Sequence, residues 1–217
     1  MDQDLIKKWN DVVSNEDFVY ILGDFSMSNK ENTKRILERL NGRKFLILGN
    51  HDKSLKGLDR YFESVDLYKT VRFKKSIFNF IEEDEFEIFM CHFPMKSWFN
   101  KPRGSMHLYG HVHWNSPHMD EETDDLCLNV GLDNPMCNYQ LLSLEQVYNY
   151  YKSKLNETNL LKQQLENQIA LLKEQINSAH MSNEHFKQRV TTIQEELEKR
   201  RNQLSELFSE QAEIKDQ

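Results

Sequence analysis

The spacing of apolar and polar residues divides the chain into two parts that meet near Leu144. In the first part, short apolar runs alternate with amphipathic stretches. The apolar runs at 18–22 and 45–48 predict buried strands, and the amphipathic stretch at 32–40 predicts a helix between them. A strand, a helix and a strand in that order predict two parallel strands joined by a right-handed crossover. The residues that follow the two strands are therefore expected at one edge of a sheet.

The remainder of the first part predicts one more helix and a second group of strands. A helix is expected at 4–13, where the apolar residues have the spacing of an amphipathic helix. Further strands are expected at 67–73, 77–81, 85–90, 106–109, 126–130 and 139–142. Strands that follow an early strand–helix–strand unit are typical of a two-sheet α/β sandwich.

The second part, from Ser143 to Gln217, contains neither glycine nor proline and predicts a long helix that continues to about Lys215. Ser143 and Gln146 have the spacing of a capping box at its start. From Leu165 onward, apolar residues recur at alternating steps of three and four, which predicts a left-handed coiled coil. We therefore expect a globular domain at 1–143 and a coiled-coil helix at 144–217.

A single helix of this length would leave its apolar seam exposed to water, so a partner helix is expected. Asn183 lies at an a position of the repeat, where a polar residue favours a parallel two-stranded pair. The sequence thus predicts a homodimer through the coiled coil. The alternative is a solvated, charged helix that has no partner.

Composition narrows the class of protein. The formal net charge of −7 argues against a strongly basic nucleic-acid-binding surface, although it leaves room for a local basic groove. No apolar run reaches the roughly 18 residues of a membrane span, and no secretory signal is visible. The three cysteines are odd in number and lack CxxC spacing, which is typical of reduced thiols. A cytoplasmic protein without membrane contact is expected.

Polar side chains with metal-binding capacity follow four of the predicted strands. These residues are Asp24, Asn50, His51, His92, His111 and His113. Carboxylate, amide and imidazole groups together suit a borderline divalent ion such as manganese, iron, zinc or nickel. The pair His111 and His113 is the most specific element, because alternate positions allow one short segment to face two neighbouring ions.

The short motifs at these positions resemble those of the calcineurin-like metallophosphoesterases, and most closely those of the small bacterial and phage-type members that lack a cap domain. The motifs are Gly23-Asp24, Gly49-Asn50-His51-Asp52, Cys91-His92-Phe93-Pro94 and Gly110-His111-Val112-His113. The resemblance implies a four-layer α/β/β/α sandwich that hydrolyses phosphomono- or phosphodiesters. It also implies two divalent ions, with manganese preferred and iron, zinc or nickel as alternatives.

The resemblance implies a role for each motif residue. Asp24 would bridge the two ions. One site would be completed by three further ligands, namely Asn50, His92 and His111, and His113 would belong to the other site. His51 would lie over the substrate phosphate and protonate the leaving oxygen or stabilise charge, while Asp52 would orient His51. Two ions lower the pKa of a shared water and hold the phosphoryl group for in-line attack, so no protein nucleophile is needed.

One part of the family pattern is missing. The family normally opens with a strand that ends in Asp-x-His, whereas this sequence has no histidine before His51 and no apolar strand before Leu5. We therefore expect one complete ion site and one depleted site. Three explanations are open: a shortened N-terminus, a degenerate member with one ion, or a strand supplied by another polypeptide. The alternative function is a catalytically weak phosphoesterase-fold protein that acts as a coiled-coil interaction module.

Overall fold

A computed structural model describes residues 2–113, 126–179 and 187–209. The chain forms two compact units, which consist of Met1–Phe99 with Ser105–Asn149 and of Asn100–Gly104 with Tyr150–Gln217. The predicted domain boundary after residue 143 stays a prediction. The acidic segment at 120–125 and the seam residue Asn183 lie outside the described residues.

The first sheet contains the predicted strand–helix–strand unit. Its parallel strands are β1 (Phe18–Ile21), β2 (Arg43–Ile47) and β3 (Ser64–Asp66), in that order across the sheet. Two helices belong to the same part of the chain, α1 (Asp2–Val12) before β1 and α2 (Lys30–Leu37) between β1 and β2. Because β1 and β2 are parallel, the residues after both strands reach the same edge, as the sequence predicts.

The second sheet is mixed. Its strands are β4 (Tyr68–Lys74), β5 (Glu85–Cys91), β6 (Met106–Tyr109) and β7 (Cys127–Asn129), in that order. β4 and β5 are antiparallel, whereas β5, β6 and β7 are parallel to their neighbours. The polar residues that follow β5 and β6 therefore also lie at one edge.

Two predicted strands are absent from the structure. The segment 77–81 forms turns, and Ile81 at its end is fully buried. The segment 139–142 does not form a strand either, because Asn138 and Tyr139 have φ values of 47° and 58°, which are incompatible with extended backbone.

Buried apolar side chains support both sheets. Leu37, Leu46, Leu55 and Leu58 form a cluster beside the first sheet. Phe89, Trp98, Tyr109 and Cys127 form a second cluster beside the mixed sheet. The predicted α/β fold class is confirmed by this arrangement of sheets together with the long C-terminal helix described next.

The C-terminal part contains the long helix α3 (Leu144–Ala179, 36 residues) and a second helix, α4 (Lys187–Ser209). The predicted capping box is confirmed at the start of α3. The Ser143 N–H donates to Gln146 Oε1 at 2.8 Å, and the Gln146 N–H donates to Ser143 Oγ at 3.2 Å. None of the helices in the described part of the chain combines the length and apolar character that a membrane span requires.

Helices α3 and α4 pack antiparallel within one chain, which differs from the predicted single helix. Arg200 of α4 donates to Gln168 of α3 at 2.6 Å, and Lys162 lies 3.4 Å from the ring centre of Phe208. In an uninterrupted helix, Gln168 and Arg200 would be about 48 Å apart at 1.5 Å per residue. The predicted continuous helix to Lys215 is therefore wrong beyond α3, because α4 folds back along it.

Candidate metal centre

Four side chains from four different strand ends converge on one point. Asp24 follows β1, Asn50 follows β2, His92 follows β5 and His111 follows β6. His92 Nε2 lies 3.1 Å from Asn50 Oδ1, 3.1 Å from His111 Nδ1 and 3.4 Å from Asp24 Oδ2. One ligand atom from each of Asp24, His92 and His111 lies within 4.8 Å of the others.

The tautomer of His92 shows why this cluster suits a cation. His92 is buried, and its Nδ1 donates to the carbonyl of Leu22 at 2.7 Å. In the neutral ring, the lone pair of Nε2 then faces the carboxylate of Asp24 and the amide oxygen of Asn50. Such lone pairs repel one another unless a positive ion lies between them. A backbone carbonyl that accepts a hydrogen bond from the other ring nitrogen is a usual partner of a metal-binding histidine. The donor set therefore fits a borderline divalent ion.

Close backbone contact at the end of β1 places Asp24. Both Gly23 and Asp24 have left-handed backbone conformations, with φ values of 83° and 50°. A Cβ atom on Gly23 would lie 2.4 Å from His92 Nδ1, and one on Gly49 would lie 2.3 Å from Asp24 Oδ1. Glycine is thus required at both positions for the strand ends to approach each other.

Asp52 stabilises this arrangement through the backbone. Its Oδ2 accepts hydrogen bonds from the N–H groups of Asp24 at 2.9 Å and Gly49 at 2.7 Å, and its Oδ1 accepts one from Phe25 at 2.8 Å. Among the described residues, no hydrogen bond joins Asp52 to His51. The geometry therefore differs from the predicted orientation of His51 by Asp52, because both carboxylate oxygens are directed at the backbone around Asp24.

The mixed sheet contributes its two ligands as a linked pair. The carbonyl of His92 accepts hydrogen bonds from the N–H groups of Gly110 at 3.1 Å and His111 at 3.0 Å. Burial, with the neighbouring His92, lowers the pKa of His111, and the nearby carboxylate of Asp24 only partly opposes this effect. The neutral imidazole, which is the form that binds a cation, is therefore favoured at neutral pH.

The family of this chain is established by comparison with known proteins. The family model for calcineurin-like phosphoesterases matches residues 2–115, which include all four converging side chains. The chain belongs to the calcineurin-like phosphoesterase family.

Two proteins that resemble this chain illustrate the match. An uncharacterized protein of Methanocaldococcus jannaschii is 31% identical over 153 residues, which is 68% of this chain and 73% of that protein. A crystal structure of a protein of unknown function from Aquifex aeolicus has the same fold, with a TM-score of 0.51 and 24% identity. That match covers 68% of this chain and 83% of the other. The family implies divalent metal ions and phosphate-ester substrates.

The two remaining histidines of the phosphoesterase motifs lie outside the four-residue cluster. His51 is exposed, and its backbone N–H donates to Asp24 Oδ1 at 2.7 Å. His113 has an 83% exposed side chain, and its Nδ1 lies 3.1 Å from Asp133 Oδ2. The structure thus brings together the predicted ligands of one ion site, whereas His113 pairs with a carboxylate that the sequence analysis did not single out.

A third histidine, His107 on β6, is ambiguous from the sequence, and in the structure it holds the loop that follows His92. It is fully buried, and its Nε2 accepts a hydrogen bond from the Met95 N–H at 3.2 Å. Burial lowers the pKa of His107, although the carbonyls of Phe89 and Phe93 oppose this shift. The available signal in the sequence was the place of His107 within the predicted strand 106–109. A histidine that is buried in such a strand needs hydrogen-bond partners for both ring nitrogens.

Proposed function

We propose that this protein is a metal-dependent phosphoesterase that hydrolyses phosphomono- or phosphodiesters with water as the nucleophile. One observation carries this proposal. His92 Nε2 lies within 3.4 Å of one possible ligand atom from each of Asp24, Asn50 and His111. Membership of the calcineurin-like phosphoesterase family gives the reaction class that such a cluster serves.

These four residues would hold the ion, and their charges favour a phosphate ligand. Asp24 is the single carboxylate of the cluster, while Asn50, His92 and His111 are neutral ligands. A divalent ion with one negative ligand retains net positive charge and attracts an anionic phosphate ester. When bound, the ion lowers the pKa of water and neutralises charge on the phosphoryl oxygens. We propose manganese, with iron, zinc and nickel as alternatives on the same donor set.

His51 is the proposed proton donor to the leaving oxygen. Its backbone is held beside the site by the hydrogen bond to Asp24 Oδ1, and its exposed side chain is free to meet a substrate. An imidazole is well suited to general acid catalysis near neutral pH. His113 is proposed as the ligand of a second, depleted ion site, with Asp133 as its hydrogen-bond partner.

Metal content and turnover test the proposal together. Purified protein is loaded with Mn²⁺, and its bound metal is measured by mass spectrometry after removal of free ions. Hydrolysis of p-nitrophenyl phosphate and of bis-p-nitrophenyl phosphate is then followed. We expect tight binding of one ion, turnover that depends on it, and a loss of about 100-fold or more in His51→Ala, the range for general acid catalysis.

Two variants separate the roles in this assay. Asp24→Ala is expected to lose both metal and activity, whereas His51→Ala is expected to lose activity and keep the metal. Asp11→Ala is the control, because its exposed carboxylate pairs with Lys7, a residue outside the site. Failure of the loaded protein to turn over either ester with any of the four metals would contradict the proposal.

The antiparallel helix pair is the part of the chain that the second candidate function, a catalytically weak interaction module, would use. α3 and α4 are joined by the Arg200–Gln168 hydrogen bond and do not contain the cluster residues. The predicted homodimer stays a prediction, although α4 already supplies a partner for the seam of α3. Sedimentation of the purified protein at micromolar concentration distinguishes a monomer from a dimer.

A further inference from the structure

Phe93 is an exposed aromatic side chain that borders the metal centre. Its ring centre lies 4.9 Å from that of His92 and 4.7 Å from that of His111. It nevertheless remains 44% exposed, so a large part of the ring faces solvent beside two proposed metal ligands. Ligand pockets commonly combine aromatic side chains with a few convergent polar groups, which is the combination found here.

The backbone on both sides of Phe93 is fixed by buried groups. On one side, the His92 carbonyl accepts hydrogen bonds from Gly110 and His111. On the other side, the Met95 N–H donates to the imidazole of the fully buried His107. An exposed ring on a fixed backbone loses little conformational freedom when a ligand contacts it, which favours recognition.

The segment that follows Phe93 presents additional apolar surface. Met95 is 39% exposed and Phe99 is 59% exposed, whereas Trp98 between them is buried with its Nε1 bonded to Ser105. The loop after β5 therefore directs one large aromatic residue into the core and leaves several apolar side chains in contact with water.

We propose that Phe93 binds the organic group of the phosphate ester and that this group is flat and aromatic, such as an aryl or nucleobase substituent. This inference rests on the proposed phosphoesterase function of the same site. A phosphoryl group at the cluster would place its substituent within reach of a ring only about 5 Å from the ligand imidazoles. Stacking between an aromatic side chain and a base then adds to affinity.

Binding of non-hydrolysable phosphonates tests the proposal without requiring turnover. Calorimetry with the Mn²⁺-loaded protein compares phenylphosphonate, cyclohexylphosphonate and methylphosphonate, which share the phosphonate and differ in the attached group. We expect phenylphosphonate to bind about tenfold more tightly than methylphosphonate, and cyclohexylphosphonate to gain less because its ring is not flat.

Two substitutions assign the preference to Phe93. Phe93→Leu keeps apolar bulk and removes the flat ring, so the preference for phenylphosphonate is expected to fall to about twofold. Phe93→Tyr keeps the ring and is expected to retain the wild-type preference. Metal content is measured for each variant, so that a loss of Mn²⁺ is not mistaken for a loss of stacking.

Two results would overturn the inference and leave the proposed function intact. The first is equal affinity of the wild-type protein for phenyl- and methylphosphonate while esters are still hydrolysed. The second is an unchanged preference in a metal-loaded Phe93→Leu variant. A wild-type protein that takes up no metal would instead refute the proposed function, and the inference with it.

Discussion

The substitution Asp52→Asn separates two roles for a buried carboxylate beside the metal centre. The sequence predicts that Asp52 orients His51, which would make its loss a defect of catalysis. In the structure, Asp52 instead accepts hydrogen bonds from the N–H groups of Asp24, Phe25 and Gly49. We therefore expect the asparagine variant to lose stability and metal affinity. The two side chains have nearly the same volume, so no cavity complicates the comparison.

The size of the effect follows from the three hydrogen bonds. An asparagine oxygen at the position of Oδ2 would keep the bonds from Asp24 and Gly49, but without a negative charge, which costs about 1 kcal/mol for each. The amide nitrogen would then face the Phe25 N–H, which leaves a donor without an acceptor at about 1–3 kcal/mol. We expect the free energy of unfolding to fall by about 3–5 kcal/mol, a large share of the stability of a typical domain.

Metal affinity is expected to fall as well. Asp24 has a left-handed backbone with a φ of 50°, a conformation that costs a non-glycine residue about 1–2 kcal/mol and that Asp52 stabilises. Loosening of this turn would displace the Asp24 carboxylate, and the loss of such a supporting group typically weakens metal binding about 10- to 100-fold.

Urea denaturation and calorimetric titration with Mn²⁺ measure these two quantities. Asp11→Asn is the matched control, because its carboxylate is exposed and pairs with Lys7 alone, so a change below about 1 kcal/mol is expected. If Asp52→Asn lowered kcat while unfolding and Mn²⁺ affinity stayed at wild-type values, the backbone role of Asp52 would be refuted. The predicted orientation of His51 would then be favoured.

Three further predictions follow from the geometry. Gly49→Ala places a Cβ 2.3 Å from Asp24 Oδ1 and is expected to weaken Mn²⁺ binding at least about tenfold. Gly57→Ala is the control: it is strained at a φ of 77°, but its Cβ would approach only the end of the Lys30 side chain, at 2.9 Å, so it is expected to lose stability without losing metal affinity. Burial lowers the pKa of His107 below 6.5, so the unfolded chain binds a proton at this residue more readily than the folded chain does. The free energy of unfolding is therefore expected to fall as the pH drops below about 6.5. Urea denaturation at a series of pH values should show a smaller decline for His107→Gln. Ile169→Ala in the seam of α3 is expected to lower the free energy of unfolding of the helix pair, measured by circular dichroism, by about 2–4 kcal/mol. Leu171 is 56% exposed, so Leu171→Ala is expected to have little effect. Equal losses in the two variants would argue against the described seam.

The convergence of the four clustered side chains could be predicted from sequence because it depends on strand order. Gly23 and Gly49 each follow a short apolar run, and a helix separates the runs, so parallel pairing had to bring Asp24 and Asn50 together. His92 and His111 likewise follow two strands that turn out to be parallel neighbours. These predictions required the order and direction of the strands, but not the orientation of any side chain.

The supporting residues could not be predicted because their roles depend on side-chain direction. Asp52 has the same sequence neighbours whether its carboxylate turns toward His51 or toward the Asp24 backbone. His107 was ambiguous for the same reason, since a histidine in a short strand can face either solvent or the core. Phe93 is fixed by contacts with residues distant in sequence, and no local pattern indicates them.

The pairing of α3 with α4 shows a different limit of sequence patterns. A heptad repeat specifies an apolar seam but not whether the helix that covers it comes from another chain or from the same one. Leu165 and Ile169 on α3 and Val190 on α4 are all buried, as the repeat predicts. The fold-back was not predictable because the segment 180–186 contains neither of the usual helix-ending residues, glycine and proline.

His92 forms hydrogen bonds through both its ring and its backbone carbonyl, which affects how an inactive variant of this protein should be made. Its ring donates to Leu22 beside the first sheet, and its carbonyl accepts from Gly110 and His111 beside the second. Replacement of the ring by alanine would therefore remove the hydrogen bond to Leu22 as well as a proposed ligand, while the bonds to the backbone carbonyl would remain. A variant designed to bind the proposed ester without hydrolysing it should instead carry its mutation at His51, whose exposed side chain can be replaced while the four clustered side chains stay in place.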